Sequence, residues 1–377
     1  MTDQPYISVI VTAYNRRRYL PFALKSLEAQ TLPKDKFEVI VVKNFDDKES
    51  DDIISRNGWK DVYEDGTYHG RKILVGLEES RGEVITFLED DDVYISNRLE
   101  EVYKAFTSYD RLVYFHNSQT IIDGNGSVLE RPPISKNIVG GSTVIVDVDK
   151  LRTFAKKSTS IVDIIVDIIL KIRVRADVNS SSAAVKRDAL EASAYLLKEL
   201  PIGIDNFIFA SSLKAGGLMY FTDEKLTLYR VHGENWSYYA HIARSGSNET
   251  RLKRARALIQ TIKAFRLIGS RLLNGSINRY LCLERLNKGA LLLLPLPELG
   301  TLPPELRPSL SDIKLALRCY KVGAEDLVDV IFVTGSALLS PLLASPRGRL
   351  VIGKLLERVV EALTTKRSLK RERESLR

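Results

Sequence analysis

The architecture of this 377-residue chain can be predicted from one stretch, Ser8-Val9-Ile10-Val11-Thr12-Ala13-Tyr14-Asn15-Arg16. The stretch begins as a β-branched apolar run, which is typical of a buried strand, and it ends in polar residues. A helical pattern of apolar residues follows, and a second apolar run at 37–42 completes a strand, helix and strand. A third run at 84–88 follows another helical pattern at 72–79. This order predicts parallel strands with right-handed crossovers, and therefore an α/β fold.

Polar residues follow each of these three predicted strands. Because ligands of open α/β sheets bind beyond the carboxyl ends of the strands, these positions are the candidate binding site. The three groups are Thr12-Ala13-Tyr14-Asn15, Lys43-Asn44-Phe45-Asp46 and Glu89-Asp90-Asp91-Asp92.

The four consecutive acids at 89–92 are the most informative of these groups. Neighbouring carboxylates repel one another, so such a cluster is usually neutralised by a cation or spread into solvent and helix caps. Hard oxygen ligands suit Mg²⁺ or Mn²⁺, ions that also hold substrate phosphates. Their position between an apolar strand and a helical pattern favours a metal site over helix capping.

Composition places the chain among ordinary globular proteins. Hydrophobic residues make up 44% and charged residues 28%, which excludes disordered and collagen-like classes. Two cysteines, Cys282 and Cys319, are too few for a disulfide framework or a four-cysteine zinc site. No signal-peptide pattern opens the sequence, so we expect a cytoplasmic location.

The net charge of +8 is concentrated in one segment. Residues 244–288 hold about eleven basic residues against two acidic ones, and their apolar residues recur at helical spacing. Such a helix either docks on the protein with a solvated basic face or contacts an anionic membrane, at the cytoplasmic face. Nucleic acid is not expected as a partner, because no stacking aromatics or nucleic-acid-binding signature accompany the basic residues.

Three segments of the chain resemble family 2 glycosyltransferases. The opening stretch resembles the first strand of that family, residues 81–92 resemble the strand leading into its DxD motif, and Tyr229-Arg230-Val231-His232 resembles a sequence that many members carry. The resemblance covers residues 6 to about 236. It implies the GT-A fold, with a Rossmann-like, mostly parallel central sheet flanked by helices, and it leaves a mainly α-helical C-terminal extension unassigned.

The resemblance implies a role for individual residues. Matching by position gives a divalent metal, Mn²⁺ or Mg²⁺, to Asp91, with His232 either completing the metal shell or contacting the diphosphate; a histidine capping a surface loop is the alternative. Asp205 matches the general base. The nucleotide-sugar-binding residues implied are Thr12, Ala13, Tyr14, Asn15, Asn44, Glu89, Asp90 and Asp91, and the acceptor residues are Asn179, Ser180 and Ser181. Arg71 and Lys72, which precede the strand that leads into the acidic cluster, are further nucleotide-sugar-binding candidates that could contact the phosphates, and a solvated helix start is the alternative.

The reaction implied is inverting transfer of a sugar from a nucleoside-diphosphate sugar to the hydroxyl of a glycan, lipid-linked or small-molecule acceptor. Members that bind uracil often carry an aspartate where this chain has Lys43-Asn44, so UDP is a default expectation. Two alternatives are a catalytically inactive nucleotide-sugar-binding protein and a membrane-surface scaffold.

The expected domain organisation follows from these segments. Residues 1–240 form the glycosyltransferase domain, divided into a nucleotide-sugar-binding half at 1–130, a helical insertion at 134–175 and an acceptor half at 176–240. Residues 241–377 form a helical region that contacts a membrane or partner. Within these parts, we predict a strongly apolar helix at 161–174 and a helical hairpin at 330–346.

Overall fold

The computed structural model describes residues 4–130, 143–155, 179–233, 235, 248–274, 279–292, 304–306, 309–321 and 333–334. The chain divides into two compact units. The first unit comprises Met1–Glu234 with Arg271–Leu273, and the second comprises Asn235–Ser270 with Asn274–Arg377.

The first half of unit 1 has the predicted alternation of strands and helices. Strand β1 pairs in parallel with β2 on one side and with β4 on the other, and β2 pairs in parallel with β3. The α/β fold and the three predicted strands are therefore confirmed. The elements are β1 (Ile7–Thr12), α1 (Leu20–Glu28), β2 (Phe37–Lys43), α2 (Lys48–Arg56), β3 (Lys60–Tyr63), α3 (His69–Glu79) and β4 (Val84–Glu89).

The second half of unit 1 makes the sheet mixed. Strand β8 joins β4 to β6 by antiparallel pairing on both sides, whereas β6 and β9 are parallel. The strand order is β3-β2-β1-β4-β8-β6-β9-β5, and β7 pairs with β9. The elements are β5 (Val93–Tyr94), α4 (Arg98–Ser108), β6 (Leu112–Ile122), β7 (Val144–Asp147), α5 (Val148–Ala155), β8 (Ala183–Lys186), α6 (Arg187–Glu191), α7 (Ile204–Ala215) and β9 (Leu218–Arg230).

Part of the predicted helical insertion at 134–175 is a strand. Residues Val144–Asp147 pair antiparallel with β9, because the β-branched sequence Val144-Ile145-Val146 suits a pleated edge better than a helix. The helix Val148–Ala155 follows this strand. The predicted apolar helix at 161–174 lies outside the described residues, and so does the predicted hairpin at 330–346 except for 333–334.

The core of unit 1 contains a fully buried arginine that joins three strands. Arg98 donates to Thr86 on β4 at 2.9 Å, to Asn117 on β6 at 3.1 Å and to the carbonyl of Ala183 on β8 at 3.2 Å. Its guanidinium also lies 4.0 Å from the ring centroid of Tyr94. Burial lowers the pKa of Arg98, so these acceptors and the ring are what compensate its desolvation.

Unit 2 contains the helix predicted from the basic segment, α8 (Asn248–Arg266). A π-helical turn, Leu267–Leu272, follows it and belongs to unit 2 up to Ser270. The other elements of unit 2 are α9 (Arg279–Leu292), Pro304–Leu306 and α10 (Leu310–Lys321). The apolar side of α8 packs in a cluster of Ala255, Leu258, Ile262, Leu291 and Leu306. The apolar periodicity of this segment therefore reflects packing within unit 2.

We expect Gly70→Ala to destabilise unit 1. A Cβ at Gly70 would lie 2.1 Å from the carbonyl oxygen of Leu197, which is backbone and cannot rotate away. Overpacking of this kind typically costs about 1–3 kcal/mol of unfolding free energy, measured by urea denaturation. Gly233→Ala is the matched control, because a Cβ there has no atom within 4 Å, and equal stability of the two variants would contradict the expectation.

Candidate active site

The candidate site lies at the carboxyl ends of β1, β2 and β4. Backbone hydrogen bonds fix the three loops to one another: the Ala13 amide donates to the Val42 carbonyl at 3.0 Å, and the Asp90 amide donates to the Thr12 carbonyl at 3.1 Å. Polar residues that follow three strands distant in sequence are therefore held side by side.

The three aspartates of the acidic cluster are buried, and each accepts at least one hydrogen bond. Asp90 accepts hydrogen bonds from Arg16, and Asp91 accepts from both Arg16 and His232. Asp92 accepts from the backbone amide of Arg230 at 3.0 Å. The cluster thus combines residues from the end of β1, the end of β4 and the end of β9.

These partners shift the pKa values of Asp91 and Asp92 in opposite directions. Burial alone raises carboxyl pKa values, but the Arg16 guanidinium and the His232 ring lower the pKa of Asp91 below its ordinary value. Burial and the neighbouring charge of Asp91 raise the pKa of Asp92 to about 7. Near neutral pH, Asp91 is therefore the charged member and Asp92 is partly protonated.

Glu89 is more exposed than the three aspartates and contacts a separate set of residues. Thr12 Oγ1 donates to Glu89 Oε2 at 3.1 Å, and Ser180 Oγ donates to Glu89 Oε1 at 2.6 Å. His69 Nε2 lies 3.2 Å from Glu89 Oε1 and 3.2 Å from Thr12 Oγ1. Although burial favours the neutral acid, the His69 ring and the Ser180 hydrogen bond lower the pKa of Glu89.

The loop after β1 is held by two asparagines. The Asn15 amide donates to Asn44 Oδ1 at 2.9 Å, and Asn44 Nδ2 donates to Asn15 Oδ1 at 2.9 Å. Asn15 has φ +57°, in the left-handed region that asparagine tolerates better than most residues. Asn44 therefore braces this loop, while the neighbouring Lys43 is buried in ion pairs with Asp51 and Asp61.

Of the two predicted phosphate-binding residues on α3, only Lys72 contacts the loop after β1. Its ammonium lies 4.4 Å from the ring centroid of Tyr14 and also contacts the Gly66 carbonyl. Burial lowers the pKa of Lys72. Arg71 instead forms an ion pair with Glu64, with Nε 3.0 Å from Oε1.

The predicted acceptor residues join Glu89 to Asp205. Ser180 and Ser181 belong to the 3₁₀ turn Ser180–Ser182, and Ser181 accepts a hydrogen bond from the Glu89 amide at 3.1 Å. Just before the turn, the Asn179 amide donates to Asp205 Oδ2 at 3.0 Å. Asp205 is half-buried in the first turn of α7, where Asn206 donates to Oδ1 at 2.9 Å.

Comparison with known proteins finds one family model that matches the first part of the chain. The sequence model of Glycosyl transferase family 2 matches residues 8–150. This part of the chain is therefore similar to family 2 glycosyltransferases. The GT-A architecture expected from the resemblance is consistent with the sheet and helices described above, since β1, β2 and β4 bring the motif residues together.

Curated relatives have the same family name. An uncharacterized glycosyltransferase of Nostoc sp. is 30% identical over 131 residues, which is 33% of this chain and 40% of that protein. One from Methanocaldococcus jannaschii is 28% identical over 135 residues, 34% of this chain and 46% of that protein. The match thus spans less than half the length of these relatives.

Among solved structures, S. aureus TarS 1-349 in complex with UDP-GlcNAc is similar to this chain with a TM-score of 0.48 and 14% sequence identity. The similarity covers 89% of this chain and 91% of that structure.

The candidate site contains two side chains that could hold a divalent ion. Asp91 Oδ2 and His232 Nε2 converge to 3.0 Å, and both side chains are 7% exposed, so His232 is not a surface histidine. No larger group of metal-binding side chains occurs among the described residues. One oxygen and one nitrogen ligand suit an ion that takes its remaining ligands from phosphate and water, as Mg²⁺ and Mn²⁺ do.

Two contacts of the site were not predicted from the sequence. Arg16 was part of the motif but had no assigned role, and His69 was not singled out. His69 begins α3, whose first three residues precede the helical pattern predicted at 72–79, so the periodicity of the sequence gave no signal for it. Among the described helices of the chain, none combines the length and apolar character needed to cross a membrane.

We expect Asp92→Asn to become more stabilising as pH rises. Because the pKa of Asp92 is raised to about 7 in the fold, the carboxyl stabilises the protein below its ordinary pKa near 4, and this stability is lost as pH rises toward 7. An amide at this position avoids that loss, and its oxygen can still accept from Arg230. Thermal unfolding in EDTA at pH 4.5, 6 and 8 should show a growing difference from the parent protein.

The control for this experiment is Asp110→Asn, at an exposed position before β6. Its effect on the unfolding temperature should be independent of pH. A constant difference between Asp92→Asn and the parent protein across the three pH values would show that Asp92 does not titrate as described.

Proposed function

We propose that this protein is an inverting glycosyltransferase that transfers a sugar from a nucleoside-diphosphate sugar to an acceptor hydroxyl. One observation carries the proposal: two hydrogen bonds connect the acidic cluster to Asp205. Ser180 donates to Glu89 of the cluster, and the amide of the neighbouring Asn179 donates to Asp205. A group suited to the leaving diphosphate and a candidate base thus belong to one hydrogen-bonded region. The match of the family 2 model to residues 8–150 supports the same class of reaction.

Asp91 and His232 are the residues that would hold Mn²⁺ or Mg²⁺. When bound, the ion would neutralise the charge that develops on the diphosphate as the glycosidic bond breaks, which is often a large contribution to catalysis. Asp91 suits this role because it remains charged at neutral pH, while the partly protonated Asp92 orients the Arg230 backbone.

Asp205 is the proposed general base. The Asn179 amide holds Oδ2 and Asn206 holds Oδ1, so the carboxylate is oriented, and the residue is only partly buried, which leaves access for an incoming acceptor. Asp205 would take the proton of the acceptor hydroxyl as that oxygen attacks the anomeric carbon. A single displacement of this kind inverts the anomeric centre.

The donor-binding surface is proposed to be formed by the loops after β1 and β2. Tyr14, Asn15 and Asn44 are held by the contacts described above, and Lys72 brings a positive charge next to Tyr14. UDP is the default nucleotide. The alternative is a catalytically inactive protein that binds the nucleotide sugar. Such a protein would bind the donor without transferring the sugar, and the two experiments that follow distinguish it from an enzyme.

Asp91→Ala should abolish metal-dependent donor binding. The experiment is calorimetric titration of UDP, GDP, dTDP and CMP into the parent protein and the variant, each with and without Mn²⁺. We expect one nucleotide to bind the parent only with Mn²⁺, and the variant to lose this binding. Asp110→Ala, at an exposed position outside the site, should behave like the parent. Unchanged metal-dependent binding in Asp91→Ala would exclude Asp91 as the metal ligand.

Asp205→Asn should reduce turnover by roughly 100- to 10,000-fold, since a positioned base typically contributes that much. Donor binding measured by calorimetry should be retained, because Asp205 is proposed to act on the acceptor. Asp188→Asn, at an exposed position on α6, is the control. Turnover close to the parent value would mean that another group is the base, and proton NMR showing a retained anomer would overturn the inverting mechanism.

We further propose that unit 2 contacts an anionic membrane surface, which would place the enzyme near a lipid-linked acceptor. The observation that favours this is the exposure of Lys253, Arg256 and Lys263 along one side of α8, while the apolar side of the helix is packed within unit 2. The contact would therefore be electrostatic, without insertion of apolar side chains.

Vesicle sedimentation tests this contact. Binding to vesicles with anionic lipid should exceed binding to purely zwitterionic vesicles, should fall with added salt, and should drop when Lys253, Arg256 and Lys263 are all replaced by Gln. A control that replaces three exposed lysines of unit 1, Lys36, Lys150 and Lys198, should keep the binding. Equal loss in both variants would point to net charge and not to α8.

A further inference from the structure

Arg16 supplies the positive charge at the centre of the acidic cluster. Its Nη1 donates to Asp91 Oδ2 at 2.6 Å, its Nε donates to Asp90 Oδ2 at 3.2 Å, and its Nη2 contacts Asp90 Oδ1. One guanidinium thus bridges two buried carboxylates. Removing charged groups from water is costly unless they are paired, so this bridge stabilises the cluster in the absence of any other cation.

The bridge uses the same oxygen that the proposed metal site needs. Asp91 Oδ2 accepts from Arg16 at 2.6 Å and lies 3.0 Å from His232 Nε2. Ions such as Mg²⁺ typically bind their oxygen ligands at about 2.0–2.1 Å. A guanidinium nitrogen at 2.6 Å occupies part of that space and repels a second cation, so both cannot be bound to Oδ2 in this arrangement.

Arg16 is more exposed to solvent than the two aspartates that it bridges. Its side chain is 24% exposed, whereas those of Asp90 and Asp91 are 0% and 7% exposed. The two arginines that follow it are held elsewhere: Arg17 donates to the Asp46 carbonyl at 3.2 Å, and Arg18 lies 5.1 Å from the ring centroid of Tyr19. Arg16 is therefore the member of this basic triplet that faces the acidic cluster from its solvent side.

A diphosphate would offer the displaced guanidinium a new partner. Arginine binds phosphate oxygens with paired, charge-assisted hydrogen bonds, as it does carboxylates. A diphosphate bound next to Asp91 and His232 would bring such oxygens to the solvent side of the cluster, where Arg16 can reach them.

We propose that Arg16 is the resting counter-cation of Asp90 and Asp91, and that it moves from Asp91 to the donor diphosphate when metal and donor bind. This inference rests on the proposed metal-dependent function. Its consequence is a coupling between the two ligands: metal alone binds weakly because it must displace Arg16, and the diphosphate strengthens metal binding by accepting the displaced side chain. Coupling of this kind typically changes affinity by about 5- to 150-fold, equally in both directions.

Arg16→Gln tests the coupling with a readout that does not depend on activity. Binding of Mn²⁺ alone, followed by electron paramagnetic resonance of the free ion, should be roughly ten-fold tighter in the variant or more. UDP and GDP are then each titrated in excess Mn²⁺. The nucleotide that binds the parent protein should bind the variant more weakly, because its diphosphate has lost a partner. Arg18→Gln removes the same charge from the neighbouring helix start and should behave like the parent.

The outcomes separate this inference from the proposed function. If the parent protein binds Mn²⁺ with a nucleotide but Arg16→Gln binds Mn²⁺ alone no more tightly, the inference is wrong and the metal-dependent donor site stands. If neither protein binds Mn²⁺ with or without nucleotide, the metal site fails and the inference fails with it.

Arg16→Lys covers the case in which Arg16→Gln does not fold. A lysine has a single ammonium group and cannot bridge Asp90 and Asp91 as the planar guanidinium does. It therefore competes less with a metal ion for Asp91, while the positive charge is kept. Affinity for Mn²⁺ alone should still rise, by less than in Arg16→Gln. An affinity equal to that of the parent protein would overturn the proposal.

Discussion

The arrangement of the site depends on the burial of carboxylates at the end of β4. Asp90, Asp91 and Asp92 are almost completely removed from solvent, and Glu89 beside them is only partly exposed. Buried charges of one sign are tolerated only with partners, and the chain supplies them from separate places: Arg16 after β1, His69 at the start of α3, and Arg230 and His232 at the end of β9. The need to neutralise one strand end thus explains why these residues converge.

This arrangement carries a cost in stability that a functional site can justify. A carboxyl group with a pKa raised to about 7 destabilises the fold at neutral pH, and a guanidinium bridging two buried acids is a compensation that an apolar cluster would not need. Acidic groups arranged in this way are suited to receiving a cationic ligand and the phosphates that accompany it. The same residues therefore connect the local energetics of β4 with the proposed chemistry.

The antiparallel strand β8 has a central role in joining the two sides of the site. It lies between β4 and β6, and the 3₁₀ turn that precedes it places Ser180 and Ser181 against Glu89. Asn179, at the start of the same turn, holds Asp205. A shift of this turn would alter the positions of the acidic cluster and of the proposed base together, so the register of β8 links the proposed donor side to the proposed acceptor side.

The sequence by itself determined the parallel strands β1, β2 and β4 and the polar groups at their ends, because apolar runs and helical periodicity are local properties of the chain. It also indicated Asp91 and Asp205 through their resemblance to family motifs. Only the tertiary structure decided that Arg16 bridges two aspartates, that His69 contacts Glu89, that Asn44 braces Asn15 and that residues 144–147 form a strand. These features depend on contacts between segments that are distant in sequence, and the burial that selects one charge partner over another exists only after the chain has folded.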